Sequence, residues 1–506
     1  MPESAIVVGG GLAGLAAASA LAERSWHVTL LESRRRLGGR ASSFRDSRTH
    51  TMVDNCQHVA MGCCTSFFDF CRKVGLDQTF RRQRTLYFVS PPSASRPYVC
   101  RFRSFPLPAP LHLVPSLLGL RFLSIADRCA VVRGLQRLAR TPPDVPEQPF
   151  SEWLAQCGQP RKAIEFFWKV VLVSALSESL DRISVRYARQ VIVQGFLASR
   201  RSWEMIIPSV PLDELYDDRV RAWFRRRGVM TRLMARVHRI RERAGRIERL
   251  ELAGGERLQA DHYILAVPYW AAGPLLPEGT RRELDRRGSL SLQSAPIASI
   301  HLWFDRPITR LPHAVLVGRL SQWVFIRPTE ATAGGPFASG HSPSWRRLHG
   351  EASRAAKSPL FYCQVIVSQA RELVRWPKNE LIRLVVQELA DVWPTVQQAQ
   401  LVHSRVIVEH RAVFSPLPGV DVRRPPQQTG LPNLHLAGDW TQTGWPSTME
   451  GAVRSGYLAA ESVLRAAGRT ERVLPPDPPP AWLSQMMFAD SAALRPLGPP
   501  LVSEQR

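Results

Sequence analysis

The chain opens with an apolar run, Ala5–Val8, that breaks at three glycines and resumes as LAGLAAASALA. The pattern predicts a strand over Ala5–Val8, a glycine turn, a helix over about Leu12–Arg24 and a second strand over Val28–Leu31 that ends in Glu32. From Met230 the pattern predicts a strand, a hairpin and a strand. DHYILAVPYW then reads as a buried strand closed by a proline turn. Near the far end, Leu434–Ala437 predicts a short strand before Gly438 and Asp439. STMEGAVRSGYLAA follows as a helix start with small residues at close-packing positions.

Two inserts separate these blocks. Residues 73–202 are largely apolar and predict helices, as in RKAIEFFWKVVLVSALSES. Residues 296–399 begin with a strand and end with LFYCQVIVSQA and a helix. Residues 329–359, rich in Gly, Ser, Ala and Pro, predict a flexible surface insertion. The Pro-rich tail 470–506, with LPPDPPP, predicts a disordered or loosely docked end. No internal repeat is present.

Composition changes this picture in one respect. The 506 residues are 44% hydrophobic, ordinary for a globular protein, but the formal charge is +24. Only five residues are lysine, so the excess is arginine. A basic surface suits nucleic acid, an anionic membrane or acidic ligands. No compact basic arm or nucleic-acid fingerprint accompanies it, and the Arg-dense run 219–249 keeps regular apolar positions, as folded structure does. No signal peptide and no run of about 20 apolar residues is seen. The cysteines are therefore expected as free thiols in a reducing compartment.

The first block carries chemistry. Gly9, Gly11 and Gly14 form GxGxxG between a strand and a helix. Gly9 permits the tight turn, Gly11 lets the backbone approach a pyrophosphate, and Gly14 lets helix pack on strand. The helix N-terminus, from Leu12 and Ala13, then offers free N–H groups to the phosphates. Glu32 stands where an acid accepts from a ribose hydroxyl. Together these point to a bound dinucleotide.

ESRRRLGGRASSF adds Gly38, Gly39 and Arg40 just after that acid. This pattern resembles the flavoprotein superfamily of amine oxidases, phytoene-type desaturases and protoporphyrinogen oxidases. The resemblance implies an α/β fold: a Rossmann-like FAD-binding domain of the glutathione-reductase type with a discontinuous α+β substrate domain. The FAD-binding part is then 1–72, 203–295 and 400–468, and the substrate part 73–202 and 296–399. It also implies that Gly39 and Arg40 lie near the FAD pyrophosphate and that Val237 lines the adenine pocket. Gln57 lies near the ring, and Gly438, Asp439 and the Met449–Gly451 backbone hold the flavin end. No cysteine sits in the expected attachment region, so the FAD is non-covalent.

VDNCQHV, LAGDWTQTGWPSTMEGAVRSG, ILAVPYW and HLWFDRPI narrow the likeness. They resemble the squalene-associated FAD-dependent desaturases, or hydroxysqualene dehydroxylases, of hopanoid biosynthesis, over most of residues 4–465. The family has glycine at the position of Cys56. The resemblance implies reductive removal of a hydroxyl from a C30 polyprenoid alcohol, giving squalene, in a long apolar pocket. His58 and Asp54 are the candidate proton donors. The alternatives are a carotenoid-type desaturase, an amine oxidase and a non-catalytic prenyl-binding escort protein. The strand SAPIASIHLWF has no lysine, which argues against amine oxidation. So apolar a substrate implies a cytoplasmic, peripheral membrane protein, supplied from a bilayer or by hand-over from a neighbouring squalene-pathway enzyme. No nucleic-acid partner is expected.

Four of the eight cysteines, Cys56, Cys63, Cys64 and Cys71, fall within residues 53–71. Their spacing lacks the paired C-x2-C pattern of zinc sites, so no metal is expected and Cys64 and Cys71 read as small buried hydrophobes. Cys56, in the turn beside the flavin, is the exception: a side chain there could crowd the ring.

Overall fold

A computed structural model describes residues 3–142, 147–327, 360–477 and 479–488. Strands β1 (Ser4–Val8) and β2 (His27–Leu31) lie parallel on either side of helix α1 (Leu12–Ala22) in the sequence. The strands Met230–Arg232, His262–Leu265 and Leu434–Leu436 join them in one five-stranded parallel sheet, although they lie hundreds of residues apart. The strands β1, His262–Leu265 and Leu434–Leu436 are buried and read as largely apolar runs, which makes them legible in the sequence. Alternate residues divide between the faces. Ala5 and Val7 pack with α1, whereas Ile6 and Val8 pack with Ile240, Ile247 and Leu250 of the hairpin Val237–Arg243 and Arg246–Leu252.

Helix α1 is buried along its whole length. The helix Met449–Ala466 crosses it so closely that a Cβ on Gly456 would fall 2.2 Å from the Ala13 carbonyl oxygen. The small residues expected at close-packing positions therefore sit at this crossing.

A second sheet holds seven strands in the order Leu401–Phe414, Ser294–Phe304, Phe361–Val367, Trp323–Ile326, His313–Leu316, Thr85–Val89 and Val99–Arg103. Two expectations change here. Residues 400–414, placed with the FAD-binding part, instead pair antiparallel with Ser294–Phe304 along nearly their full length. The mainly helical first insert contributes the last two strands of this sheet. Its helices, including Ile125–Arg140, Phe150–Gln156 and Val185–Ile192, close around Phe150, Trp153 and Trp168.

One face of the second sheet packs Ala298, Ile300 and Leu302 against Leu381, Val385 and Leu389 of the helix Lys378–Val392. The other carries Ser299, His301 and Trp303. It turns toward β3 (Ser43–Arg45) and β4 (Met52–Asp54), where Trp303 and Tyr362 meet Phe44 and Val53.

The expected insertion 329–359 lies outside the described residues. The described part of the tail is not loose. Val473 and Leu474 donate their N–H groups to Glu461, and Asp477 accepts from Arg454 at 2.7 Å. The helix Trp482–Met487 docks on residues 197–198.

Candidate functional site

At the first turn each glycine meets a different constraint. Gly9 has φ +109°, and a Cβ on it would lie 2.5 Å from the Ala266 carbonyl oxygen. A Cβ on Gly14 would lie 1.9 Å from the Gly9 oxygen. A Cβ on Gly11 would meet nothing within 4 Å, so this backbone faces an open cradle at the start of α1. No side chain caps that helix N-terminus. Its N–H groups, from Leu12 and Ala13 onward, lack intrahelical partners and suit a pyrophosphate.

Glu32, at the end of β2, accepts from the Gly10 N–H at 2.7 Å and the Arg34 N–H at 2.8 Å. The Ser33 hydroxyl adds a third bond at 3.2 Å, and a carboxylate accepts about four, so capacity remains for a ribose hydroxyl. The Ala235 N–H bonds the Glu32 carbonyl at 2.9 Å, which holds the chain leading to buried Val237 beside the end of β2. Gly38 donates to the Gly10 carbonyl at 2.8 Å and lays the Gly38–Arg40 turn beside the cradle.

Arg40 closes the site. It bonds Asp439 at 2.5 Å and the Ala412 carbonyl at 2.8 Å, and lies over the Trp270 ring. Burial alone would raise the Asp439 carboxyl. Arg40 and the Ser447 hydroxyl instead hold it below the usual carboxylate value, so it is charged at neutral pH. Gly438, just before it, has φ +141° and donates to Ser455.

Sequence reasoning missed two supports. Arg424 is fully buried; it bonds Tyr187, Thr443 and the Asp439 carbonyl, tying the first insert to the Asp439 loop. Glu450, also fully buried, accepts from the Ser66 and Phe67 N–H groups and so caps helix α2 (Thr65–Lys73). Buried charges look like surface charges in a sequence. The only signal was their place beside the LAGDW and STMEG segments. Thr448 caps its own helix through Gly451, leaving the Met449 and Glu450 N–H groups without intrahelical partners. The Tyr216 hydroxyl reaches the Met449 sulfur at 3.8 Å.

The turn Asp54–His58 follows β4, and the Asn55 amide donates to the Arg40 carbonyl at 2.7 Å. It thus sits beside the Gly38–Arg40 turn, with Gln57 half-buried. The two expected proton donors are placed differently. Asp54 is fully buried and taken up by Arg327, the Ser43 hydroxyl and the Leu212 N–H. It fastens the turn. His58 Nδ1 lies 2.9 Å from the Cys56 carbonyl, an oxygen that only accepts, so the hydrogen sits on Nδ1 and Nε2 is an acceptor. Burial, with Arg40 nearby, lowers its pKa.

Cys56 fits without strain. Its φ lies outside the left-handed region, so the turn does not require glycine there. Burial pushes its thiol up to about 12. We expect iodoacetamide at about pH 8 to modify exposed Cys129 in the native protein and spare Cys56. Peptide mass spectrometry would show it, and rapid labelling of Cys56 would refute it. All eight cysteines are unpaired. Among the described residues no group of three or more His, Cys, Asp or Glu could hold a metal ion.

The model for the flavin containing amine oxidoreductase family matches residues 12–464. A hydroxysqualene dehydroxylase of Sinorhizobium fredii is 25% identical over 486 residues, covering 92% of this chain and 99% of that protein. A probable zeta-carotene desaturase of Synechococcus elongatus is 25% identical over 492 residues, covering 91% and 98%. Among solved structures, cyclohexylamine oxidase of Brevibacterium oxydans superposes with a TM-score of 0.63 at 18% identity, covering 93% and 100%.

Proposed function

The chain belongs to the flavin containing amine oxidoreductases, and from that premise we propose that it removes the hydroxyl of hydroxysqualene to give squalene. It is an FAD-dependent oxidoreductase. The observation that carries the substrate reading is the inner face of the second sheet. It packs Trp303 and Tyr362 against Phe44 and Val53, beside the strand that leads into the Asp54–His58 turn, and the strand Ser294–Phe304 contains no lysine. Aromatic faces stabilise a cation, and the missing lysine on this strand is what argues against an amine substrate. The end-to-end likeness to a hydroxysqualene dehydroxylase supports the same substrate.

FAD, when bound and reduced, would supply a hydride equivalent to the carbon that the hydroxyl leaves, and the hydroxyl would depart as water with one proton that Nε2 of His58 first takes up from solvent. The chain's own residues prepare this step. The GxGxxG cradle, Glu32, Arg40 and Asp439 fix the cofactor. His58 presents Nε2 to the substrate hydroxyl and orients it. The apolar first insert excludes water from the cation.

A carotenoid-type desaturase is the second reading, favoured by equal likeness to the zeta-carotene desaturase. The deciding assay gives the FAD-loaded, chemically reduced enzyme hydroxysqualene in detergent without oxygen, and gives the oxidised enzyme phytoene and zeta-carotene. We expect squalene by mass from the first and no new polyene absorbance from the others. The reverse outcome would establish the desaturase. His58→Ala is expected to retain FAD and lose most turnover.

Both substrates are too apolar to travel free in water. Among the described residues no helix is long and apolar enough to cross a membrane. The proposal therefore includes uptake from the surface of a bilayer.

A further inference from the structure

Between residues 96 and 140 the chain has eight arginines and a single acid, Asp127. That acid is buried, where it serves as the capping partner of Ser124. The surface of this segment is thus positive almost without relief. It also shows large apolar side chains to water. Leu107 and Leu111 lie in the turn after Val99–Arg103. Leu118 ends the helix Val114–Leu118. Ile125 begins the helix Ile125–Arg140 and is 77% exposed.

A distant part of the chain extends this face. Arg200 bonds the Phe105 carbonyl at 3.1 Å, so residues 197–201 lie beside the Leu107 turn. The helix Trp482–Met487 docks on those residues through Ala481 N–H to Ala198 at 2.8 Å and the Ser484 hydroxyl to Leu197 at 2.8 Å. It buries Ser484 and Phe488. On its outer side, one turn apart, Trp482 and Met486 remain 64% and 69% exposed. Between Leu118 and Ile125, half-buried Phe122 packs edge-on to Phe166 at 6.3 Å, so an apolar track leads inward from the face.

We propose that this face docks on an anionic lipid bilayer. Leu107, Leu111, Leu118, Ile125, Trp482 and Met486 enter the headgroup–acyl boundary, and the surrounding arginines meet lipid phosphates. A second copy of this chain would bring one positive face against another, so charge favours lipid over self-association. The inference rests on the reading that the substrate is a polyprenoid taken from a membrane, and it names the surface that does so.

Vesicle flotation of the FAD-loaded protein tests it. The wild type is expected to float with vesicles containing phosphatidylglycerol, to float poorly with pure phosphatidylcholine, and to be released by about 0.5 M salt. Ile125→Glu with Trp482→Glu should lower the bound fraction by about tenfold or more. Both side chains are exposed, so flavin absorbance and turnover of detergent-dispersed substrate should stay at wild-type values while turnover of vesicle-borne substrate falls. The inference is overturned if the wild type ignores anionic vesicles or the double variant binds them as well. It is also overturned if the face instead makes a salt-resistant dimer that the variant loses. The proposed reaction fails separately, when the wild type in detergent makes no squalene.

Discussion

Gly14→Ala is expected to yield protein that neither folds stably nor holds FAD. Its methyl group would lie 1.9 Å from the Gly9 oxygen and 3.3 Å from the Ala266 Cβ. Backbone on one side and a neighbouring strand on the other leave it no direction of escape. Overpacking at such a point costs about 3 kcal/mol or more, because α1 must lift from the sheet that it covers. Gly11→Ala is the control. Its added methyl meets nothing within 4 Å, so the apoprotein should melt like the wild type. The same methyl enters the space where a pyrophosphate would lie, so the flavin absorbance per chain should collapse. Thermal unfolding and flavin absorbance on both variants separate the two effects. A Gly14→Ala protein with full flavin content would refute this account of the cradle.

Mild acid is expected to unfold the protein. His301 and His435 are fully buried. Burial, followed by Arg405 for the first and by His262 and Arg465 for the second, lowers each from 6.5 to about 3. Above 6.5 neither the folded nor the unfolded chain holds these protons, and the histidines do not affect stability. Below 6.5 the unfolded chain takes them up and the folded chain refuses them until about pH 3. Stability therefore falls with falling pH across that window. At about pH 5 the loss is about 2 kcal/mol for each histidine. Two such losses are a large share of a typical net stability of about 5–15 kcal/mol. The melting temperature, followed by circular dichroism at constant ionic strength, should drop steeply between about pH 6.5 and 5. A flat profile there would show that the folded state protonates these rings without penalty.

Both predictions concern residues whose legibility in the sequence differed. The cradle could be read because its signals are local: Gly9, Gly11, Gly14 and Glu32 occupy one strand–turn–helix–strand unit, and each type is fixed by its immediate surroundings. The strand Leu401–Phe414 was legible as structure but not in its membership, since sheet pairing is settled by a partner about a hundred residues away. Thr85–Val89 and Val99–Arg103 were lost among apolar helices for the same reason. Arg424 and Glu450 were invisible as buried charges because Tyr187, Ser66 and Phe67, which make their burial tolerable, lie hundreds of residues upstream. Around Cys56 the sequence raised the question of a side chain beside the ring, and the turn's φ shows that the backbone there does not require glycine. The Pro-rich 470–477 segment read as loose because nothing local announces that Arg454 will hold Asp477.

The bond between Arg40 and Asp439 joins residues separated by 399 positions. During synthesis the Gly38–Arg40 turn leaves the ribosome long before its partner exists. At about 5–20 residues per second the interval is about 20–80 s. Throughout it β1, β2 and α1 lack the Leu434–Leu436 strand and the Met449–Ala466 helix that complete the sheet and its cover. The sheet meets the cell as an open edge in need of chaperone shelter, and cofactor loading becomes an event that follows translation.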